Sequence, residues 1–323
     1  MAEKHAVKRK IDLSALIGRI RRVPRSLLAA AGLVAVLVIV ILSVTLPARR
    51  GESRTVPAEI PEGSVIPART RSALPAAMLS VPADASAEMR LRTIARRDGF
   101  PMLSWDIDAF ETGADGRMLY RGNTQTLTGI DVSEHQGDIN WSAVARDGID
   151  FAMIRMGYRG STAGGLYEDE QFRANVTGAL KAGIPVGVYF YSQAVTVAEA
   201  EEEADYVLQA IKDFDITFPV VFDWEIVGDE EARTYSLSRA ALCDCTRAFC
   251  DKIAQAGYKP MIYFTQYLGY RKYILRNLSD YGFWYAQYEP QPHIAFDFDM
   301  WQYSETGTVA GVEGGVDLNI LRK

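Results

Sequence analysis

Two carboxylates flank a tryptophan in PVVFDWEIVG, where Asp223 and Glu225 follow the apolar run Val220, Val221, Phe222. Residues two apart on a strand point to the same face, which places these acids side by side with Cα atoms roughly 6.6 Å apart. An Asp-x-Glu pair alone is common, and at a strand end it is ordinarily a solvated edge. Two further acids add weight to it: Asp131 in GIDVSEHQG and Asp317 in GVDLN each sit in a short strand-like segment. Crowding raises carboxyl pKa values, because ionising a second group beside the first costs more. One carboxyl can then stay protonated as a general acid while an ionised neighbour stabilises positive charge, as cleavage of a glycosidic bond requires. Aromatic residues near the same segments (Tyr158, Tyr189, Tyr191, Trp284, Tyr288, Trp301 and Tyr303) offer flat faces suited to sugar rings. Other chemistries find little support. The chain has three histidines, His5, His135 and His293, with no metal-ligand spacing, and no phosphate-binding glycine loop. Neither metal nor cofactor is expected. His135 reads as a loop histidine, and AEAEEEAD as a solvated helix face.

The elements that must position these acids begin near Gly129. TGIDVS, DFAMIRMG, PVGVYFYSQ, FPVVFDWE and PMIYFTQY read as strands. Between them INWSAVARDG, EDEQFRANVTGALKAG, TVAEAEEEADYVLQAIKD and SRAALCDCTRAFCDKIAQAG read as helices. This βαβα rhythm implies a parallel sheet with helices outside. Gly183 and Gly257 stand where left-handed C-terminal caps are expected. After Tyr267 the rhythm weakens: FWYAQY, DMWQYS and GVDLNIL read as strands, but the segments between them carry no helical period. The 195 residues from Gly129 to Lys323 fall just short of a full (β/α)₈ barrel. The expected fold class is therefore α/β, a shortened TIM-like β/α barrel with its late helices missing. In a parallel barrel the site lies at the C-terminal strand ends. Asp131, Asp223, Glu225 and Asp317 would converge at one mouth.

The rest of the chain reads differently. Residues 1–26 hold eight basic side chains against Glu3 and Asp12, so a net charge of −6 hides a +6 tail and −12 on the remaining 297 residues. An acidic bulk argues against a nucleic-acid partner. Leu27 to Leu46 is an uncharged run of 20 residues, the length that spans a bilayer. A cleaved signal peptide would have a shorter apolar core and a small-residue cleavage site. The preceding basic cluster puts the N-terminus in the cytoplasm and everything after Pro47 outside. Residues 47–85, rich in Pro, Ala and Ser, read as an extended linker. Residues 86–127 read as a small segment of unassigned role, with a helix over Ala87–Arg97 and a hairpin turning at Ala114-Asp115-Gly116. The catalytic domain is expected over residues 128–323. Cys243, Cys245 and Cys250 share one helical segment at spacings unsuited to a disulfide, and read as buried free thiols.

Taken together, GIDVSEHQGDINW, FAMIRMGYRG, AGIPVGVYFY, PVVFDWE, FWYAQY, MWQYS and VDLN, in that order, resemble the glycoside hydrolase family 25 lysozymes, muramidases that act on bacterial peptidoglycan. The resemblance covers Gly129 to about Leu321 and leaves the first 128 residues outside. It implies a shortened β/α barrel and acidic site residues at Asp131, Asp223, Glu225 and Asp317. By resemblance Glu225 is the general acid, Asp223 orients or stabilises the substrate N-acetyl group, and Asp131 and Asp317 hold the sugar and tune the acid. The expected protein is a membrane-anchored, outward-facing muramidase with peptidoglycan and the lipid bilayer as partners. A non-catalytic wall-binding module and a hydrolase of another glycan remain as alternatives.

Overall fold

The computed structural model describes residues 102–323. The expected basic tail, membrane span, linker and helix over Ala87–Arg97 lie outside the described residues. Among the described residues no helix is long and apolar enough to cross a membrane.

A short hairpin comes first, β1 (Phe110–Thr112) paired antiparallel with β2 (Met118–Tyr120). Its turn uses Gly116 at φ 80°, a left-handed conformation that favours glycine. Then follow β3 (Thr126–Val132), α1 (Trp141–Arg146), β4 (Phe151–Arg159), β5 (Leu166–Glu168), α2 (Phe172–Lys181), β6 (Val186–Ser192), α3 (Val197–Ile211) and β7 (Ile216–Trp224). The chain continues through α4 (Arg239–Gln255), β8 (Pro260–Thr265), α5 (Gln266–Arg271), β9 (Gly282–Ala286), β10 (Met300–Gly307) and β11 (Val316–Arg322). Side-chain oxygens of Asn140, Thr196 and Ser238 cap α1, α3 and α4 by accepting backbone N–H groups of the first turn. Gly183 and Gly257 follow helices at positive φ, as the sequence suggests.

Eight strands close a barrel in the order β3-β11-β10-β9-β8-β7-β6-β4, with β4 pairing back to β3 and β5 added at the edge of β4. The expected late gap in helices is present: no helix lies between β9 and β10 or between β10 and β11. Three sequence expectations need correction. The barrel is not wholly parallel, because β11 runs antiparallel to both β10 and β3. The connection over residues 308–315 is too short for the crossover that parallel strands need. The strand expected through Tyr267 ends at Thr265, whose hydroxyl accepts from Leu268 N–H and starts α5. The short strand β5, antiparallel to Gly157–Arg159, takes up Glu168, where the sequence suggests the start of a helix that begins only at Phe172.

Strand alternation sorts the core into two layers. Phe151, Met153, Val221, Met261, Trp284 and Met300 fill the barrel interior. Ile154, Val188, Phe190, Val220, Phe222 and Ile262 face outward into the helix layer. Cys243, Cys245 and Cys250 are buried free thiols on α4. The hairpin and the residues before it cover the outer face that lacks helices. Trp105 stacks on Phe298, and Phe110 meets Trp301 edge-on at 5.0 Å. The guanidinium of Arg117 pairs with Asp147 just past α1.

Candidate active site

Interior parity carries a polar layer to the upper end of the barrel. On β3, Gly129 and Asp131 follow Leu127 on the inner face; on β4, Arg155 follows Phe151 and Met153. On β7, Asp223 follows Val221, and Glu225 lies one residue past the strand end. Asp317, the second residue of β11, stands opposite Asp131 in the antiparallel register. Reversal of β11 therefore explains how a residue at a strand's start reaches a mouth otherwise built from strand ends. The sequence places the four acids correctly near one mouth but assigns Asp317 the wrong strand direction.

Asp131 is 4% exposed, and one of its carboxylate oxygens accepts from Gln302 Nε2 at 2.9 Å and Asn319 Nδ2 at 2.7 Å. Burial, then the charge of Asp317, pushes its carboxyl well above the usual range despite those two donors. Asp317 stands opposite it in the strand register. Asp317 is raised chiefly by burial. Asp223 is 5% exposed and its Oδ1 has no hydrogen-bond partner. Burial drives its carboxyl well up, the charges of Glu225 and Asp131 add to this, and Arg155 opposes them. Glu225, less buried, is raised by desolvation and then by Asp317. Two neighbouring carboxyls pushed up together lose their protons in separate steps. Between those steps the pair holds one proton and one negative charge, which is the state acid-assisted bond cleavage uses.

A fold this arranged stores instability at the site, and the sign follows from the raised values. Asp223 in the folded chain binds its proton more tightly than the ordinary value of 3.8 allows. Its contribution to stability is complete below that unfolded value and is lost as pH rises through the folded one. Asp223→Asn is therefore expected to melt above the wild type at pH 7, the difference shrinking towards zero near about pH 4. Thermal melts of both proteins across that range check it; an unchanged or lower Tm at pH 7 would contradict it.

The aromatic candidates divide. Tyr189 lies on the inner face, edge-on to Trp284 at 5.9 Å, and Tyr191 pairs in register with Asp223. Burial and the nearby acids raise the phenols of both. Tyr288 is half-exposed at the mouth, and its hydroxyl donates to Gln302 Oε1 at 3.0 Å. Tyr158 stacks on the exposed Tyr167 at 5.2 Å. Trp284 is not a sugar platform: it is fully buried beneath the acids and donates Nε1–H to Asn319 Oδ1 at 2.8 Å. Trp301 is also a correction. It points to the outer face, fully buried under the hairpin, and its indole donates to Gln287 O; Tyr303 lies beside it. Alternation explains both faces, since Gln302 between them is the residue that points inward.

Sequence reasoning missed Arg155, Tyr263, Gln302 and Asn319. Tyr263 donates to Gln302 Oε1 at 3.0 Å, so Gln302 links two tyrosines to Asp131. Asn319 lies two residues beyond Asp317 and shares its face, a spacing that could have flagged it. Among the described residues no cluster of His, Cys, Asp and Glu is arranged to hold a metal ion. His135 lies in a turn of 3₁₀-helix with Nε2 3.5 Å from Arg155 Nη1.

The model of the glycosyl hydrolases family 25 matches residues 130–312, more than half of the chain. The chain belongs to this family. As a family 25 member it is a glycosidase, and its matched span contains Asp131, Asp223 and Glu225 but stops short of Asp317. Lysozyme M1 of Streptomyces globisporus is 30% identical over 217 residues, 64% of this chain and 71% of that protein. The autolytic lysozyme of Clostridium acetobutylicum is 26% identical over 60% of this chain and 55% of its own length, so the chain spans little more than half of that relative. A solved family 25 glycosyl hydrolase from Bacillus anthracis overlays with a TM-score of 0.53 at 22% identity, covering 63% of this chain and 91% of that one. It supports the family 25 barrel fold.

Proposed function

We propose that this family 25 glycosidase is a muramidase, cleaving the β-1,4 bond between N-acetylmuramic acid and N-acetylglucosamine in peptidoglycan. The observation that carries the reading is the pair Asp223 and Glu225 at the end of β7, both carboxyls raised by burial, with Asp131 and Asp317 opposite each other on the neighbouring strands β3 and β11. Glu225 protonates the leaving oxygen. Asp223, buried with one oxygen free of protein partners, faces the substrate N-acetyl group and supports its attack on the anomeric carbon. Asp131 and Asp317 hold the sugar and keep Glu225 protonated. Tyr189, Tyr191 and Tyr288 flank the rings. Relatives that bear the names lysozyme and autolytic lysozyme support the substrate class.

The same proposal places the catalytic domain outside the cell on a single membrane span over residues 27–46, behind a cytoplasmic basic tail and a linker over residues 47–85. The uncharged run and its basic flank in the sequence support that placement.

Purified peptidoglycan incubated with protein from Gly51 onward should yield new reducing ends, with N-acetylmuramic acid as the reducing sugar. No release, or a different terminal sugar, rejects the reading. A second expectation follows from the causes acting on Glu225. Activity should fall on the alkaline side as Glu225 loses its proton. Asp317→Asn removes the neighbouring charge that helps hold that proton, so the alkaline limb should move to lower pH, by about one unit or less. A kcat/KM profile with the limb unmoved or shifted upward counts against it.

A further inference from the structure

Glu225 lies one residue beyond β7, whose last register partner on β6 is Ser192, opposite Trp224. Past that point the chain leaves the sheet and runs to Ser238, which caps α4. One buried side chain grips this stretch at two places. Gln193, the residue after β6, is fully buried, and its Nε2 donates to the carbonyl oxygen of Glu225 at 3.2 Å. Its Oε1 accepts from the hydroxyl of Thr234 at 2.6 Å, and Thr234 is itself buried. A carbonyl oxygen only accepts, so the amide nitrogen of Gln193 must face Glu225 and its oxygen must face Thr234. The amide therefore has one orientation, and each of its ends fits one partner.

Both ends of this bridge are fastened independently of Glu225. At the β6 end, Glu203 of α3 accepts Ser192 Oγ at 2.6 Å and the backbone N–H of Gln193, and it pairs with the buried Arg159 at 2.7 Å. Arg159 in turn donates to Gly164 O at 2.7 Å and to Glu199 O at 3.0 Å. At the loop end, the backbone N–H of Arg233 donates to Ser161 O at 2.9 Å, and its guanidinium pairs with Glu199. Gln193 thus spans from a fixed strand end to a stapled loop, and it takes hold of the peptide after Glu225 on the way. Ile226, the other half of that peptide, is 46% exposed. A peptide unit is planar, so holding the carbonyl of Glu225 fixes the plane on one side of its Cα, while β7 fixes the other. The direction in which the Glu225 side chain leaves the backbone follows from the two together.

We propose that Gln193 is a positioning residue for the catalytic acid: its amide, oriented by Thr234, holds the backbone of Glu225 so that the carboxyl is presented at the barrel mouth. This rests on the muramidase reading for the reaction, whereas the hold on Glu225 is a property of the free protein. No described residue hydrogen-bonds the Glu225 carboxylate, so its place is set through the backbone. A general acid acts only within hydrogen-bond reach of the leaving oxygen, and a misplacement of about 1 Å can cost on the order of a hundredfold in rate. Asp223 does not depend on the bridge, because it sits within the sheet, in register with Tyr191 on one side and Tyr263 on the other. Loss of Gln193 therefore loosens one acid of the pair and leaves the other in place.

Kinetics on peptidoglycan, and NMR of the full-length protein carrying carboxyl-labelled glutamate, test the proposal. Gln193→Leu keeps the bulk but leaves the Glu225 carbonyl without its donor, so kcat should fall by roughly 10- to 100-fold with KM nearly unchanged. Thr234→Val removes the hydroxyl that orients the amide and should give a smaller loss of the same kind. Thr234→Ser keeps that hydroxyl and should retain the wild-type kcat. Because both sites act through one amide, the double variant Gln193→Leu/Thr234→Val should lose no more than Gln193→Leu alone. Without substrate, the Glu225 carboxyl signal, assigned by its loss in Glu225→Gln, should broaden or split in Gln193→Leu and Thr234→Val and stay single in Thr234→Ser. Should Gln193→Leu fail to fold, the Thr234 pair decides. The proposal is overturned if Thr234→Val and Thr234→Ser give the same kcat and the same Glu225 signal, or if Gln193→Leu matches the wild type in both. If the signals respond as stated but the wild type releases no reducing ends from peptidoglycan, the muramidase reading fails and the hold of Gln193 on Glu225 stands.

Discussion

Glu225→Gln should lower kcat on peptidoglycan by roughly 10²–10⁴-fold, the range general acid catalysis usually supplies, with KM close to wild type and a melting temperature no lower than wild type. The reasoning starts from accessibility. Of the two acids on the β7 end, Asp223 is buried and Glu225 is part-exposed, so Glu225 is the one a leaving-group oxygen can approach. Desolvation and Asp317 hold its proton above the ordinary carboxyl range, and Arg155 acts on its neighbour instead. Glutamine keeps the shape and a hydrogen-bond donor but cannot transfer a proton, so binding survives and the chemical step does not. No described residue hydrogen-bonds the Glu225 carboxylate; Gln193 Nε2 donates only to its backbone carbonyl at 3.2 Å, which is why stability should hold. Reducing-end release with saturating peptidoglycan measures kcat, and a pull-down measures binding. Equal turnover in mutant and wild type would remove Glu225 from the mechanism.

The parts of this site that are legible in the sequence are those governed by a two-residue period. Alternation along PVVFDWE puts Asp223 and Glu225 on one face and Trp224 on the other, and the structure buries Trp224 outward as that period requires. The same period, applied to MWQYS, turns Trp301 outward and Gln302 inward, so aromatic residue type by itself does not tell which face a ring takes. Strand direction is not written in a local pattern. Asp317 could be placed on a strand, but only the short connection before β11 shows that the strand runs backwards. Arg155 was hidden for a different reason: a single basic residue inside an apolar strand looks like an edge residue until Asp169 and Glu134, from two other loops, are seen to hold it. The hairpin was legible from its turn residues, whereas its purpose was not, because that depends on which face of the barrel lacks helices.

That uncovered face gives the largest expected effect on stability. Trp105→Ala should destabilise the domain by about 3–5 kcal/mol, the usual cost of truncating a buried large aromatic. Trp105 is 5% exposed and stacks on Phe298 at 5.6 Å. It meets Tyr120 edge-on at 4.7 Å and carries the Arg322 guanidinium 4.5 Å over its ring. Its indole donates to Phe298 O at 2.9 Å, so truncation also strands a buried carbonyl. Leu103 N–H bonds Ala295 O, and Ser104 bonds Asp297 through both its N–H and its hydroxyl, fastening the segment along the β9–β10 connection. A family 25 barrel with helices missing beside β10 and β11 leaves Trp301 and Phe298 in need of cover, and residues 102–120 supply it. Urea titration should show the midpoint of Trp105→Ala lowered with the slope preserved. Asp115→Ala, at the exposed hairpin tip, should change stability by no more than about 0.5 kcal/mol. A chain beginning at Thr126 should expose the same face entirely and lose more than Trp105→Ala does. If it melts with the intact protein, the hairpin is an ornament on the barrel and not part of its core. Because the four acids open at the mouth and this cover lies on the outer wall, Trp105→Ala protein that remains folded should keep the wild-type kcat, separating the hairpin's structural work from the chemistry.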